Sequence, residues 1–520
     1  MKTLFLIMIA AFLLGCNFLP GIGEQEDEPR DETVPEFVQN QPGNIYYVSN
    51  SGNDSNDGLT QNSSWATLSK LNSMMFSFQP GDTILLNRGD VFRGHLEPMA
   101  GDEGNWIQYS SYGTGAKPQI IGSIQLVESS DWELHSGNLY KTTADLSNDV
   151  GGVFFNSIDS NGYYEDFGER KWNLSDLLFD RDFYFDPTGE NNRLYLYSSG
   201  GAPDTIYSNI EASLNVHLVD ISQKEYILFE GIHFNKGGGH GFSGDRGQYL
   251  IIKGCDFSYM GGGFLYYDSE NGRNVRYGNG IEFWTDANNI LVEANRFWEI
   301  YDTAVTNQGH SRTSAQYHIY YLNNIIWNCG LASFELWNRD SSSEMSDIYF
   351  INNTSINPGY GWGGAEHRED KNSYHIASYS NTSSGDTLVI KNNIFYTLAP
   401  PPGAEYHLFF FDENIGGTGY TKYIIDNNLW YISSNPTWAV STSEIYSSFI
   451  EWQGINHQSQ NGITEDPLFS DYSNGDFSLL AGSPAIDAGE NLFREEDFYG
   501  NPNSGNMNFP DMGAIEFQIN

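Results

Sequence analysis

The sequence predicts an all-β protein whose backbone winds into a parallel β-helix, a solenoid of stacked coils. Three observations lead to this prediction. A short strand-like phrase recurs at intervals of 29 to 40 residues, an Asn stands at the same point of most copies, and no helical pattern separates them. Repeats of this kind stack so that neighbouring coils share one continuous core. The predicted fold also has an N-terminal cap helix and one β-rich excursion from the coils.

The recurring phrase is an alternating apolar run, a polar or small pair that usually ends in Asn, and further apolar residues. Six copies are present: Tyr249-Leu-Ile-Ile-Lys-Gly-Cys-Asp-Phe257, Asn289-Ile-Leu-Val-Glu-Ala-Asn-Arg-Phe297, His318-Ile-Tyr-Tyr-Leu-Asn-Asn-Ile-Ile326, Asp347-Ile-Tyr-Phe-Ile-Asn-Asn-Thr-Ser355, Thr387-Leu-Val-Ile-Lys-Asn-Asn-Ile-Phe395 and Lys422-Tyr-Ile-Ile-Asp-Asn-Asn-Leu-Trp430. A weaker seventh copy begins at Glu225.

Alignment of the copies on the second residue of the pair gives one column of side chains. The column consists of Cys255, Asn295, Asn324, Asn353, Asn393 and Asn428. Asn tolerates the left-handed turn conformation, and its amide can bond to the equivalent residues about 4.8 Å away on the coils above and below. We therefore expect the coils to stack in register on this column.

Length and composition agree with a solenoid. The 520 residues exceed what one globular core needs, but a solenoid lengthens along its axis without widening its core. Gly (55 residues) and aromatic residues (15%) suit short strands joined by tight turns. The one persuasive helix runs from Ser64 to Met75, with Ser64 as the expected N-cap, and we expect it to close the first coil.

The N-terminus predicts the compartment. Residues 1–16 have a basic start, an apolar stretch too short to span a bilayer, and Leu13-Leu-Gly-Cys16. This start resembles a bacterial lipoprotein signal, which implies lipidation of Cys16 and an exported protein anchored by lipid to the outer membrane or cell surface. Residues 17–43 then predict a disordered acidic tether. We expect Cys255 and Cys329 to be buried thiols rather than a bridge or metal ligands.

Charge excludes several partners. The formal net charge is −42, with 25 Lys and Arg against 67 Asp and Glu, which argues against nucleic acid and against membrane contact other than the lipid anchor. An anionic ligand would need locally placed cations, for which the candidates are Arg312, Arg339, Arg368 and His310. We expect a monomer with a polysaccharide partner.

Residues 126–225 break the rhythm of the coils and predict the β-rich excursion. Phe183 to Tyr197 contains two alternating runs separated by turn residues, which is typical of a hairpin. The nearby Asp180, Asp182 and Asp186 suggest calcium, but they lack the glycine and the terminal glutamate of an EF-hand loop. No cofactor or metal site is therefore predicted.

A functional site on a packed solenoid must use outward side chains of neighbouring strands. Thr306 stands 11 residues after Asn295, and Glu335 stands 11 after Asn324, so the two are expected to stack. Strand alternation then predicts one shared outward face. Its predicted members are Glu282 and Trp284, Thr306 and Gln308, Glu335 and Trp337, and Glu366 and Arg368.

This face carries the groups that a glycosidase uses, two carboxyls flanking a glycosidic bond and indoles stacking on sugars. Adjacent coils would suit a retaining pair of Glu335 and Glu366, and two coils at about 9.6 Å approach the inverting range for Glu282 and Glu335. Glu335 belongs to both pairs and is the first candidate. The candidate substrate contacts are Trp284, Trp337, Gln308, Arg339, Arg368, His310 and His367. His367 and Asp340 are also reserve candidates for a base or a substrate clamp, whereas Asp302 lies at a strand end, where a turn or cap role is expected.

Both ends of the folded region resemble known proteins. The N-terminal segment has Ile45-Tyr-Tyr-Val-Ser-Asn-Ser-Gly-Asn-Asp-Ser-Asn-Asp-Gly58, and the C-terminal segment has Asp466-Pro-Leu-Phe469, Gly482-Ser-Pro-Ala-Ile-Asp-Ala-Gly489 and Asp511-Met-Gly-Ala-Ile-Glu-Phe517. They resemble the cap and closing segments of right-handed parallel β-helix proteins of the pectate-lyase-like superfamily from polysaccharide-degrading bacteria. The implied organisation is cap and first coils at 44–125, main coils at 226–465 and closing segment at 466–520.

The resemblance implies a carbohydrate-active protein. Similar β-helical hydrolases attack marine glycans, including sulfated fucans, so we expect an endo-acting glycoside hydrolase on such a polymer. A polysaccharide lyase is the alternative, with Lys, Arg or His as proton acceptor. A surface glycan-binding protein without catalysis would keep the tryptophans and need none of the glutamates.

Overall fold

The computed structural model describes residues 34–518 with internal gaps. The gaps are residues 159–163, 188–191, 310–313, 339–341, 365–371, 380–386, 400–406, 414–422, 434–437, 442–443, 447, 494 and 503–508. The predicted signal peptide and Cys16 lie outside the described residues. In the described part of the chain, no helix is long and apolar enough to cross a membrane.

Three parallel sheets form the body of the described fold. Sheet 1 has ten strands: Ile45–Val48, Thr83–Asn87, Ile107–Tyr112, Glu225–Glu230, Gln248–Lys253, Asn288–Glu293, Ala315–Leu322, Glu344–Ile351, Leu388–Lys391 and Tyr423–Asp426. Sheet 2 has nine: Val91–Arg93, Gln119–Ile121, His233–Asn235, Asp256–Ser258, Arg296–Trp298, Ile325–Trp327, Thr354–Ile356, Ile394–Thr397 and Leu429–Ile432. Sheet 3 has seven: Val219–Asp220, Phe242–Asp245, Ile281–Trp284, Thr303–Gly309, Ala332–Asn338, Ser373–Tyr379 and His407–Glu413.

Each main coil visits sheet 1, sheet 2 and sheet 3 in turn, and then starts the next rung of sheet 1. Pairing within the three sheets is parallel, with in-register partners such as Ile290 with Ile319 and Phe297 with Ile326. The prediction of a right-handed parallel β-helix is confirmed.

Alternation of the side chains produces the core. In sheet 1, Ile290 and Val292 point inward, where they are fully buried with Ile319 and Tyr321 of the next coil. Inward rings stack along the axis in sheet 2, where Phe257 lies 4.8 Å from Phe297. The core is thus continuous from coil to coil, as expected for a solenoid.

The predicted asparagine column is a buried ladder. The Oδ1 atom of Asn324 accepts the backbone N–H of Asn295 at 3.0 Å and its side-chain amide at 3.1 Å, and Asn353 does the same for Asn324 at 2.9 and 3.0 Å. Each amide also donates to a carbonyl of the previous coil, as Asn324 does to Val292 at 2.9 Å. Amides and turn backbone therefore satisfy one another from coil to coil.

The left-handed conformation belongs to the other member of each pair. The residues with positive φ are Gly254, Ala294, Asn323, Asn352, Asn392 and Asn427, with φ between 50° and 58°. Both the turn and the ladder were predicted for the second residue of the pair, and for the turn this prediction was wrong. The first residue turns the chain, and the second bonds along the axis.

The cap helix is shorter than predicted. It spans Leu68–Ser73, and its N-cap is Thr67, whose side chain accepts from the N–H of Lys70. Ser64 ends a preceding 3₁₀ turn at Gln61–Ser63, so its assignment as the N-cap was wrong. Elsewhere in the described residues, the helices are Pro203–Ile206 and Phe449–Asn456, and further 3₁₀ turns are Met75–Ser77, Ser129–Asp131, Leu174–Asp176 and Tyr472–Asn474.

The β-rich excursion consists of two sheets with their own buried core around Val153, Phe183 and Leu196. One sheet contains Tyr164–Phe167, Val150–Ile158, Ile210–Leu214 and Ser123–Gln125; the other contains Glu169–Arg170, Asp182–Asp186, Arg193–Tyr197, Leu139–Thr142 and Trp132–Ser136. Asp182–Asp186 and Arg193–Tyr197 pair antiparallel, which confirms the predicted hairpin.

Three further hairpins and the chain ends complete the described fold. The hairpins are Gly263–Asp268 with Arg273–Tyr277, Trp438–Ser441 with Glu444–Tyr446, and Phe469–Asp471 with Asp476–Leu479. Residues 34–43, assigned to the tether, are part of the folded unit, because Phe37 packs on Trp106 with ring centroids 6.2 Å apart. Cys255 and Cys329 are buried free thiols, as predicted.

Candidate functional site

The outward side of sheet 3 carries two parallel rows of polar and aromatic residues. In the first, named here the acid row, Ser243 pairs with Glu282, Glu282 with Thr306, and Thr306 with Glu335. In the second, the indole row, Asp245, Trp284, Gln308 and Trp337 occupy the same four strands. The predicted register of Glu282, Thr306 and Glu335 is confirmed.

Two donors on the neighbouring strand hold Glu335. The hydroxyl of Thr306 donates to Glu335 Oε2 at 2.6 Å, and the amide of Gln308 donates to the same oxygen at 2.8 Å. Short hydrogen bonds to a carboxylate favour its charged form. Glu335 is thus fixed in one orientation by side chains of the strand between it and Glu282.

Glu282 has weaker partners and a different electrostatic environment. Its Oε1 lies 3.3 Å from Ser243 Oγ, and its Oε2 accepts from the Asn279 amide at 3.1 Å. The pKa of Glu282 is raised to about 7, mainly by burial and to a smaller extent by the charge of Asp302, while the two hydrogen bonds act to lower it. Near neutral pH this carboxyl can therefore hold or release a proton.

Both glutamates are recessed. The exposed fraction is 8% for Glu282 and 3% for Glu335, although both point away from the core of the coil. Trp284 and Trp337 beside them are half-buried, and their ring centroids are 6.1 Å apart across the strand that carries Gln308. The two indoles therefore lie side by side next to the recessed carboxyls.

The other candidates from the sequence lie outside the described residues. They are Glu366, Arg368, His310, His367 and Arg339, together with the secondary candidates Arg312 and Asp340. The structure thus brings together Glu282, Glu335, Trp284, Trp337 and Gln308 of the predicted site.

Several residues around Glu282 were not among the candidates predicted from the sequence. His240 is 6% exposed, and its Nε2 lies 3.3 Å from Glu282 Oε2. Its ring stacks on His217 at 4.9 Å and meets the ring of Tyr277 edge-on at 4.9 Å. Asn279 precedes the strand of Glu282. The only sequence signal for His240 was its place in the run Gly237-Gly-Gly-His-Gly241, which directly precedes a strand of the outward face.

No group of three or more His, Cys, Asp or Glu is arranged to hold a metal ion in the described part of the chain. The aspartates considered for calcium have other partners. Asp182 Oδ2 accepts from the N–H groups of Leu178 and Phe179, and Asp180 accepts from Ser199. These carboxylates cap turns of the excursion.

Comparison of the sequence with known proteins gives a local match. No family model matches the chain. A segment of 95 residues, 18% of the chain, is 34% identical to a lacto-N-biosidase from Bifidobacterium longum subsp. longum. The match spans 6% of that enzyme, so this chain covers only a small part of the length of its curated relative.

Comparison with solved structures gives long alignments at low identity. The solved structure of a glycoside hydrolase is 11% identical to this chain with a TM-score of 0.46, and the alignment covers 80% of this chain and 99% of that one. The GH136 lacto-N-biosidase from Eubacterium ramulus is 14% identical with a TM-score of 0.41, covering 82% and 67%. Pectate lyase Pel9A is 15% identical with a TM-score of 0.35, covering 92% and 97%. These are carbohydrate-active proteins of the kind that the sequence resemblance named, and they include both hydrolases and a lyase.

Proposed function

We propose that this protein is a glycoside hydrolase that uses Glu282 as general acid and Glu335 as general base. The observation that supports the proposal is the acid row, in which two recessed carboxyls of unlike environment lie beside a surface of two indoles. Glycosidases divide the work between two such carboxyls, one protonated and one charged.

The roles follow from the partners of each carboxyl. A pKa of about 7 lets Glu282 carry the proton that the leaving oxygen needs. Glu335 receives two short hydrogen bonds on one oxygen, which suits a charged base. Trp284 and Trp337 would stack on sugar rings and bring the glycosidic bond over the recess.

The strand separation favours inversion of configuration at the anomeric carbon. Glu282 and Glu335 lie two strands apart, which corresponds to about 9.6 Å at about 4.8 Å per strand. This is close to the upper end of the separation that leaves room for a water between the sugar and the base, about 6.5 to 9.5 Å.

The proposed substrate is an extracellular polysaccharide, cleaved internally, with marine sulfated fucans as the first class to test. The support is the sequence resemblance and the expected lipid anchor at Cys16, which would hold the enzyme at the outer membrane or cell surface. The cations expected to meet sulfate, Arg339, Arg368 and His310, are part of this proposal, with His367 as a further contact.

The test is a panel of algal and plant polysaccharides incubated with a form that lacks residues 1–33. Hydrolysis yields new reducing ends without the ultraviolet absorbance of an unsaturated uronate. That absorbance would instead identify a lyase, and retention of a polymer without cleavage would identify a glycan-binding protein. Either result contradicts the proposal.

The first variant for this panel is Glu335→Gln. It should lower turnover by at least about 100-fold, because the base cannot activate water as an amide. Polymer retention and the melting temperature should change little. Glu270→Gln, an exposed glutamate on a hairpin turn, is the matched control and should keep full activity. Near-normal turnover by Glu335→Gln would remove Glu335 from the mechanism.

A further inference from the structure

The side-chain amide of Asn279 has a fixed orientation. Its Oδ1 accepts the backbone N–H of Thr303 at 3.0 Å, so this end of the amide must be the oxygen. The opposite end is then the NH₂ group, and it donates to Glu282 Oε2 at 3.1 Å. The residue is 2% exposed, so water does not compete for these contacts. Reversal of the amide would place two donors at Thr303 and two acceptors at Glu282.

The tautomer of His240 is fixed by the same residue. The backbone N–H of Asn279 donates to His240 Nδ1 at 2.9 Å, so Nδ1 is an acceptor and the ring proton must be on Nε2. That nitrogen lies 3.3 Å from Glu282 Oε2. Burial lowers the pKa of His240 to about 3, so the ring stays neutral in this tautomer near neutral pH.

Two N–H groups thus face one oxygen of Glu282. A protonated carboxyl carries a single O–H, and a proton on Oε2 would point at or crowd the two N–H donors. The other oxygen, Oε1, faces the hydroxyl of Ser243, which can accept from an O–H or donate to a charged oxygen. The proton of the neutral acid therefore belongs on Oε1.

We propose that Asn279 and His240 are positioning residues that hold Glu282 Oε2 and so confine the transferable proton to Oε1. This inference rests on the proposed function, in which Glu282 is the general acid. When the proton is held on one defined oxygen, fewer orientations of the carboxyl are unproductive for proton transfer than when the carboxyl rotates freely.

Among the described residues, three titratable groups lie close to Glu282 and His240. Asp302 and the phenol of Tyr277 interact electrostatically with Glu282, and His217 and Tyr277 cover the His240 ring. Asp302 favours the neutral acid, whereas the Asn279 amide favours the charged form. Loss of the amide should therefore move the titration of Glu282 to higher pH.

Asn279→Asp in the full chain tests the inference. Asp has the same shape and keeps an oxygen for Thr303, but it loses the donor toward Glu282 and adds a like charge. The carboxyl band of Glu282, identified by infrared difference against Glu282→Gln, should titrate at least about one pH unit higher. The basic limb of kcat/KM should move with it, and kcat should fall about tenfold or more. Asn289→Asp, which adds the same charge on sheet 1 of the same coil, is the matched control and should leave both unchanged.

A second measurement needs no variant. Nitrogen NMR of histidine-labelled full chain should show His240 with Nε2 protonated and Nδ1 bare between about pH 5 and pH 9. A protonated Nδ1, or an unchanged Glu282 titration in Asn279→Asp, would overturn the inference. Failure of the proposed function would show differently, as no polysaccharide cleavage by the unaltered chain while both spectroscopic results stand.

Discussion

At the scale of single residues, the two glutamates of the acid row differ through their partners. Glu335 receives two short hydrogen bonds on one oxygen, whereas Glu282 has longer contacts and the charge of Asp302 nearby. The same side chain therefore has different surroundings at two positions that lie two strands apart. In the proposed function, this difference in environment, rather than residue type, distinguishes the acid from the base.

Thr306 provides a direct test of this view. Thr306→Val keeps the branched shape but removes the hydroxyl that donates to Glu335 at 2.6 Å. A hydrogen bond to a charged group contributes about 1.5 kcal/mol or more, so kcat/KM should fall about tenfold. Thr306→Ser keeps the hydroxyl and should lose less than threefold. Equal rates for the Val and Ser variants would show that this hydrogen bond does not support the reaction.

At the scale of the elements, the paired turn residues have separate functions. The first residue of each pair takes the left-handed conformation, as Asn427 does with φ of 50°. The second bonds along the axis: Asn428 Oδ1 accepts from the backbone and side chain of Asn393, both at 2.9 Å. The repeated Asn-Asn sequence therefore combines a residue that tolerates positive φ with a residue whose amide bonds along the axis.

The two positions should respond differently to substitution. Asn428→Ala leaves the buried N–H of Asn393 and the carbonyl of Ile390 without their partner, at a cost of about 2 to 4 kcal/mol. Asn427→Gly keeps a residue that accepts positive φ and should be nearly neutral. Thermal unfolding followed by circular dichroism measures both. A larger loss for Asn427→Gly than for Asn428→Ala would contradict the division of roles.

At the scale of the whole molecule, the sequence predicts the features that repeat from coil to coil and misses those that do not repeat. The phase of the Asn column and strand alternation were enough to place Glu282, Thr306 and Glu335 in one row. They could not show that these glutamates are recessed. Glu282 lies beside His240, which comes from the segment before the strand Phe242–Asp245, and beside Tyr277, which belongs to a hairpin inserted into the coil. Neither period operates in these two segments.

Features that do not repeat also explain why the start of the cap helix was predicted wrongly and why the net charge did not reveal the buried carboxyls. The cap helix begins at Thr67 rather than Ser64 because the residues before it form a separate 3₁₀ turn that no helical pattern signals. A net charge of −42 describes the surface and does not show which carboxyls are buried. The buried titratable groups decide how stability depends on pH.

The shifted pKa values of Glu282 and Glu299 should each make a contribution to stability that decreases as the pH rises from about 5 to 8. Three buried histidines with lowered pKa values act in the opposite direction below about pH 6.5: His217, His233 and His240. Burial raises the pKa of Glu282 and of Glu299 to about 7 from the ordinary 4.5. Between these values the folded state binds more protons than the unfolded state, so each group weakens folding as the pH rises, by at most about 3 kcal/mol. Asp256, with a pKa lowered to about 2, acts oppositely and only below about pH 4.

Melting temperatures at pH 5 and pH 8 measure this dependence. Glu282→Gln combined with Glu299→Gln should remove the contribution of the two carboxyls, because neither amide titrates. The melting temperature of the double variant should therefore fall less, or rise more, from pH 5 to pH 8 than that of the unaltered chain. The readout is the change of the melting temperature with pH, not the melting temperature itself. Gln at position 299 cannot accept from both Trp362 and Asn328, so it will lower stability at every pH. Glu270→Gln, on an exposed turn, should keep the unaltered slope. If the double variant also kept that slope, the two buried carboxyls would not be the groups that bind the extra protons in the folded state.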